Sequence, residues 1–536
     1  MTAPTMHLTK DTIYHILSHR TKEWDFKTLS SLPHPYTLKS CEQACAFLAQ
    51  CIAKRQKILI VGDYDVDGVI ASVVMMKFFK MIHYDRVEYV IPNRFNDGYG
   101  ITPEIIKRHK SDVIITVDNG ITAYEAAEYC LAHRIPLIIT DHHLPKEQLP
   151  QAQFIINPQQ PGCTFAQKEI CGAMVAWYVC AGLRIALGKN NNLAPLLELV
   201  MLATIADMMP LTQINKCIVL YGLKSFQHSP FPPINKLKTQ LKTRYPTATD
   251  ISFSLTPLLN AAGRMGEGRI ASEFLLLDSK QCDDIEQELE QGLQALLSLN
   301  LERKNTAKDV LESAHNAALI YDKAVIARGD TWHEGVLGIV AAQMAQHYKR
   351  PAFVLANNKH ELKGSARSWD NTDLMHILNG AQEILGEFGG HSKAAGLSMD
   401  NTAFHKFCIY LQNLSHLPTC EDTIDSAKLG RIQACDIDED LFLLLQKFEP
   451  YGQANPRPIL EALLTIHSVR KIKQIHQKFS FFETTLEGLC FFCDKNLAKG
   501  DRVYVNFVLQ MDSFNNKPIM ILQSLMKLES TIEYAI

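Results

Sequence analysis

The sequence predicts an α/β protein with four parts. These are a doubly wound parallel-sheet domain, a long connecting helix, a second and smaller α/β domain, and a small β-barrel at the C-terminal end. Three observations carry this. Apolar runs typical of buried parallel strands, Lys57–Val61, Val113–Val117 and Leu137–Thr140, alternate with helical stretches as far as about Asn157. From Asp278 to Ala318 the chain is charged, free of proline, and spaces its leucines and isoleucines at helical intervals. Beyond about Asp436, short β-rich runs are separated by Gly, Asn and Lys turns. The boundaries that follow are 1–56 for a helical lead-in, 57–277 for the first α/β domain, 278–318 for the connecting helix, 319–420 for the second α/β domain and 421–536 for the barrel.

Each element has its own signal. In the lead-in, Ala44, Phe47, Leu48, Cys51 and Ile52 fall at helical spacing before the first strand. Gly68 opens a first crossover helix over Val69–Met81, which leaves Asp65 and Asp67 on a loop just past the strand end. A helical stretch from about Ala194 to Ala206 delivers Asp207 at its end, and Pro210 prevents simple continuation. The connecting helix is expected to break near Asn300. The second domain reads as strand Ala324–Ala327, helix Val336–Tyr348, strands Ala352–Leu355 and Leu362–Arg367, and helix Asp373–Leu385. A Gly389-Gly390-His391 turn and a short strand close it. The barrel runs are Phe479–Thr485, Leu489–Cys493, Arg502–Gln510 and Pro518–Leu522.

With 536 residues the chain accommodates several cores, and 47% hydrophobic and 21% charged residues are ordinary for a globular protein. A net charge of −3 argues against attachment to nucleic acid by bulk charge, yet leaves room for a local basic groove. No apolar run reaches 18 residues and no signal peptide is read, so a cytoplasmic protein without membrane contact is expected. The 14 cysteines are scattered through apolar segments, the pattern of reduced, buried thiols. Cys490 and Cys493 form a lone Cys-x-x-Cys pair, expected on opposite faces of a strand and without a metal or redox role.

The chemistry lies where the apolar runs stop. Asp63, Asp65 and Asp67 follow the first strand, Asp118-Asn119-Gly120 the second, and Asp141-His142-His143 the third. In an open α/β sheet these strand ends converge on one crevice. So many carboxylates there would repel one another unless cations neutralise them. Oxygen and imidazole ligands together suit Mn2+ or Mg2+, and two such ions about 3.5–4 Å apart act on phosphates. Asp65 and Asp67 can each serve a different ion, with Asp118 between them, His142 as a neutral nitrogen and Asp207 as a further oxygen. A phosphoesterase is the reading. Arg94, Arg264, Ser365 and Arg367 supply three guanidinium groups and a hydroxyl, enough to clamp a phosphate. The glycines before His391 allow close approach to a sugar-phosphate chain.

These motifs resemble those of a known family. Asp65-x-Asp67, Asp118-Asn119-Gly120, Asp141-His142-His143 and Asp207 look like motifs one to four of the DHH phosphoesterase superfamily. Gly62-Asp63-Tyr64-Asp65-Val66-Asp67-Gly68 and Asn260-Ala261-Ala262-Gly263-Arg264 resemble its RecJ branch, the single-strand-specific DNA exonucleases. So do Trp332-His333-Glu334-Gly335-Val336, Lys363-Gly364-Ser365-Ala366-Arg367 and the stretch from Gly389 to Gly396. The likeness runs from about Thr37 nearly to the end. It implies DHH, DHHA1 and RecJ OB domains, and hydrolysis of single-stranded DNA from the 5′ end to nucleotide 5′-monophosphates, in recombination and repair. It also implies metal ligation by Asp65, Asp67, Asp118, His142 and Asp207, with His143 near the substrate phosphate, Asp63 at the metal shell and His391 on the substrate.

Many superfamily members carry a histidine at the position of Val61, so either Asp63 or water takes its place here. Candidate basic tracks are Lys236, Lys238, Lys242 and Arg244, and, beside Phe479, Phe481 and Phe482, Arg470, Lys471, Lys473 and Lys478. Single-strand-binding protein and a helicase are the partners the likeness implies, and a monomer is expected. Relatives tend to have Phe-Gly-x-Gly-Asn-Pro where this chain reads Tyr451-Gly452-Gln453-Ala454-Asn455-Pro456, so Ala454 would be strained if its position needs a positive φ. The rivals are a DHH hydrolase of short oligonucleotides, adenosine bisphosphate or pyrophosphate, and a catalytically silent DNA-binding subunit.

Overall fold

A computed structural model describes residues 7–21, 26–243, 245–278, 284–358, 361–418, 427–472, 475–493, 495–512, 515 and 517–528. Five short apolar runs form a parallel sheet in the order β2-β1-β3-β4-β5. These are β1 (Ile58–Val61), β2 (Val87–Val90), β3 (Val113–Val117), β4 (Leu137–Thr140) and β5 (Phe154–Ile156). The central strands are buried on both faces, which is why they read as unbroken apolar runs. One face packs on α2 (Cys41–Ala53), α3 (Val66–Met81), α6 (Gly172–Ala186) and α7 (Leu197–Ala206). The other packs on α4 (Pro103–Arg108) and α5 (Tyr124–Ala132). The sheet is therefore doubly wound, and its strand order reverses between β1 and β3, where a ligand crevice opens.

α3 starts at Val66, three residues earlier than the glycine at 68 suggested. Asp65 caps it by accepting from Gly68 N (3.1 Å), and Asp67 lies in its first turn rather than on a loop. The carboxylate at the N-terminus outweighs the helix-weakening glycine.

The connecting helix, preceded by residues 279–283 outside the described ones, runs unbroken over Ile285–Asn316. The side chain of Asn300 accepts from Arg303 Nε and Nη2 within the helix, so the expected break is absent. The second domain is a mixed sheet in the order β10-β11-β9-β8-β7-β6. Its strands are β6 (Leu319–Ile320), β7 (Val325–Gly329), β8 (Ala352–Asn358), β9 (Glu361–Arg367), β10 (Phe388–His391) and β11 (Ala394–Asp400). Two readings are corrected here. Gly389-Gly390-His391 belongs to the edge strand β10, paired with Ala394–Gly396, and is not a turn. The helix read over Asp373–Leu385 spans only Leu374–Gly380, while Phe404–Gln412 adds a helix that was not anticipated.

The C-terminal barrel closes through five strands, β13 (Ile459–Ile472), β14 (His476–Phe481), β15 (Gly488–Cys490), β17 (Lys517–Lys527) and β16 (Arg502–Asp512). β13 pairs back onto β16, and β12 (Lys428–Arg431) joins outside the ring. This is the OB-type barrel. Its longest strand, β13, was missed. Because β15 ends at Cys490, the chain turns and brings the Cys493 thiol beside that of Cys490 rather than to the opposite face. The lead-in also divides. α1 (Lys10–Arg20) buries Ile13 and Leu17 in the barrel core, and Lys10 pairs with Asp438 at 2.5 Å, whereas α2 belongs to the first domain. No helix among the described residues is long and apolar enough to cross a membrane.

Candidate active site

The strand ends bring the acids together. Ligand atoms of Asp63, Asp65 and Asp118 lie within 4.8 Å of one another, as do those of Asp67, His142 and Asp207, and those of Asp118, His142 and His143. His142 Nε2 is 3.1 Å from Asp118 Oδ1, 3.6 Å from Asp207 Oδ2 and 3.7 Å from Asp67 Oδ2. All five residues read as metal ligands therefore share one crevice, and Asp63 joins them. Val61 is buried within β1 and offers no ligand atom.

Each carboxylate is held differently. Asp67 accepts from Gly172 N (2.6 Å) and Ala173 N (2.8 Å), the first amides of α6. Asp118 has φ 63°, and a Cβ on Gly172 would lie 2.5 Å from its side chain, so the start of α6 walls the site at close range. Asn119 ties β3 to β1 by donating to Val61 O (3.0 Å) and Val117 O (2.9 Å). Asp141 is not a ligand candidate. It accepts from Ile121 N (2.9 Å), His142 N (2.7 Å) and His143 N (3.1 Å), and its Oδ1 is 2.7 Å from His143 Nδ1. These bonds outweigh burial and hold Asp141 below the usual carboxylate range.

Electrostatics divide the two histidines. Burial, then the charge of His143, lowers His142 to about 4, leaving a neutral imidazole. Burial also disfavours the charged form of His143, but the Asp141 bond and the nearby carboxylates raise it to about 9. The acids move the other way. Burial, then the charge of Asp65, raises Asp67 to about 7 and holds Asp63 well above the carboxylate range. Burial, then Asp67, does the same for Asp118 and Asp207. Asp63 Oδ1, Asp118 Oδ1 and Asp207 Oδ2 are buried without a hydrogen-bond donor. Orphaned, crowded oxygens beside a neutral imidazole fit a pair of hard divalent cations.

The acids open into a cavity of about 250 Å³ that residues of both domains line. Asp63, Asp65, His143, Arg94 and Arg264 line it from the first domain, and Ser365 and Arg367 from the second. Arg264 Nη1 donates to Gly335 O (3.3 Å) across the domain boundary. Burial, then the charges of Arg94, Arg367 and Arg303, lowers Arg264 to about 10. This end of the cavity therefore carries an excess of positive charge that a dianion would relieve.

His391 does not line the cavity. It sits exposed at the end of β10, opposite Ala394, which is in turn opposite Arg367. Of the basic tracks, Lys236 is tied to Glu286 (2.6 Å) and Glu290 (2.7 Å), and Lys238 donates to Phe226 O (2.9 Å). Arg470 and Lys471 are exposed on β13, whereas Lys478 pairs with Glu487 at 2.5 Å. Phe479 and Phe481 are core; only Phe482 is exposed. Arg244 and Lys473 lie outside the described residues. Sequence reasoning missed Gly172 and Ala173, which act through backbone amides and leave no side-chain signature. It also missed Tyr64 and Tyr99, which line the cavity, and the positional role of Asn260, whose Oδ1 accepts from Val66 N (3.2 Å).

Comparisons with known proteins agree with this arrangement. The model of the DHH family N-terminal domain matches residues 57–204, that of the DHHA1 domain 321–414 and that of the RecJ OB domain 430–523. The single-stranded-DNA-specific exonuclease RecJ of Salmonella typhimurium is 31% identical over 82% of this chain and 81% of its own length. That of Escherichia coli is 30% identical over the same shares, 82% and 81%. The crystal structure of RecJ in complex with Mn2+ from Thermus thermophilus superposes with a TM-score of 0.81 at 27% identity, covering 96% of this chain and 76% of that one. The Mg2+ complex from the same organism gives 0.76 at 26% identity, over 97% and 75%.

Proposed function

Because the chain belongs to the RecJ family of DHH phosphoesterases, we propose that its cleft hydrolyses single-stranded DNA stepwise from the 5′ end, releasing nucleotide 5′-monophosphates. It is a metal-dependent nuclease. One observation carries the reading: the acid–imidazole cluster shares one cavity with Arg94 and Arg264 of its own domain and with Ser365 and Arg367 of the second.

Asp63, Asp65 and Asp118 would hold one Mn2+ or Mg2+ ion, and Asp67, His142 and Asp207 the other. Bound there, the ions supply Lewis acidity for an in-line displacement at phosphorus. The chain does the rest. Asp141 fixes the loop so that His142 presents a neutral nitrogen, while protonated His143 donates to a phosphate oxygen on the cavity side. Arg94, Arg264 and Arg367 grip the terminal 5′-phosphate, and the Ser365 hydroxyl donates to it. Anchoring that phosphate between the two domains presents the next phosphodiester to the acids, which gives the polarity. His391, across β11 from Arg367, meets the strand at the rim.

The barrel, with Arg470, Lys471 and Phe482 exposed, receives the strand beyond the cleft. The working domain limits remain 57–277, 278–318, 319–420 and 421–536, with α1 grouped with the barrel because Ile13 and Leu17 pack in its core. The protein works as a cytoplasmic monomer with single-strand-binding protein and a duplex-opening helicase, in DNA recombination and repair.

The test is degradation of single strands end-labelled at either terminus, with and without chelator, by the wild type and Asp118→Ala. Loss from the 5′ end, abolished by chelator and by the substitution, is expected. Undiminished activity of Asp118→Ala, or digestion from the 3′ end, would reject the reading.

A further inference from the structure

Asp207 is held less directly than Asp67. Asp67 accepts two backbone amides and Asp118 is walled in by Gly172, but Asp207 ends α7 with Oδ2 buried and without a donor. Beyond it the chain leaves the helix through Met208, at φ 52°, and reaches Pro210, which has no amide hydrogen. At Leu211 the main chain is anchored outside its own domain, since Leu211 N donates to Gln453 O (2.8 Å) in the turn before the barrel. The two segments touch closely: a Cβ on Gly452 would lie 2.7 Å from Leu211 Cδ1. One turn further along, Lys216 Nζ donates to Phe448 O (3.1 Å).

The turn itself is stiff. Asn455 is 1% exposed and donates through Nδ2 to Phe448 O (3.2 Å) and Pro450 O (2.8 Å). Gly452 N donates to Asn455 O (2.9 Å), and the Tyr451 hydroxyl donates to Leu445 O (2.5 Å). Arg457 pairs with Glu449 at 3.1 Å, and Arg20 of α1 donates to Pro456 O (3.2 Å). A rigid turn that grips the main chain four residues after a ligand acts on that ligand as an outer-shell partner does, by fixing its position.

We propose that the Tyr451–Pro456 turn is a positioning element for Asp207, so that the C-terminal domain sets the divalent-ion affinity of the cleft. This rests on the reading of Asp207 as a ligand. The test uses the full chain, with Mn2+ binding followed by titration calorimetry and the Mn2+ dependence of nuclease activity measured in parallel. Gly452→Val forces a side chain into Leu211, and Leu211→Ala removes the contact from the other side without adding bulk. Asp207→Ala reports on the ligand itself.

The expected result is Mn2+ affinity about tenfold or more weaker in both turn variants. Their activity should recover at high Mn2+, and KM for the strand should be unchanged. Wild-type Mn2+ affinity in both turn variants would overturn the inference, since Leu211→Ala alone keeps the bond from Leu211 N to Gln453 O. If Asp207→Ala also binds Mn2+ as the wild type does, Asp207 is not a ligand and the underlying reading fails as well.

Discussion

At the residue scale, the side chains that matter are those whose charge state the surroundings dictate. Asp118 sits at a strained φ of 63° with a buried oxygen lacking any donor, a cost that an ion bound there would recover. Asp118→Ala should therefore lower the cleavage rate at least about 10³-fold, the several kcal/mol that a divalent ion contributes at a phosphoryl oxygen, with the fold unchanged by circular dichroism. Lys77 poses the opposite case. It is buried in α3 with its ammonium 4.7 Å from the Phe231 ring centroid, and burial lowers it to about 8. In the unfolded chain it stays charged up to its ordinary value, so between these limits the unfolded state binds more protons and stability rises with pH. Lys77→Met should be more stable than the wild type at pH 7 by on the order of 1–3 kcal/mol. The difference should shrink by pH 10 in chemical denaturation, and a pH-independent difference would contradict the burial account.

At the element scale, two backbone features decide function. The start of α6 both donates to Asp67 and walls Asp118, so Gly172→Ala keeps the amide but drives a methyl into the carboxylate. Activity should fall by at least about tenfold, with little change in strand affinity measured by fluorescence anisotropy. In the turn before the barrel, Ala454 has φ 57°, the strain foreseen from its place in a glycine position. Ala454→Gly should stabilise the chain by about 1 kcal/mol, read as a rise in Tm. Much of this level was legible in sequence. The parallel strands of the first sheet announce themselves because burial on both faces leaves unbroken apolar runs, and Asp207 falls where Pro210 stops a helix. β13 escaped because Leu460, Ala462, Leu464 and Ile466 alternate inward while Ile459 and Leu463 fill the outer positions, which blurs the period of two. α3 was read as starting late because Gly68 suggested a boundary that the Asp65 cap had already passed.

At the scale of the whole molecule, function depends on contacts that no single segment encodes. The cavity needs acids from one sheet and Ser365 and Arg367 from another, with Arg264 bonded across the boundary to Gly335. Arg264→Ala should reduce degradation of 5′-phosphorylated strands more than of 5′-hydroxyl strands, so the ratio of the two rates should fall towards one; an unchanged ratio would remove Arg264 from the phosphate pocket. The clustered acids and His142 were legible because they follow apolar runs, whereas the N-terminal helix docked on the barrel was not, since Ile13 and Leu17 carry no sign of a partner more than 400 residues away. The central claim is that five aspartates and a histidine hold a pair of divalent ions at the cavity floor. Anomalous diffraction from crystals grown with Mn2+ tests it most directly. Two peaks about 3.5–4 Å apart, one against Asp63, Asp65 and Asp118 and the other against Asp67, His142 and Asp207, are predicted. No peak at this cluster, or ions bound only elsewhere, would contradict it.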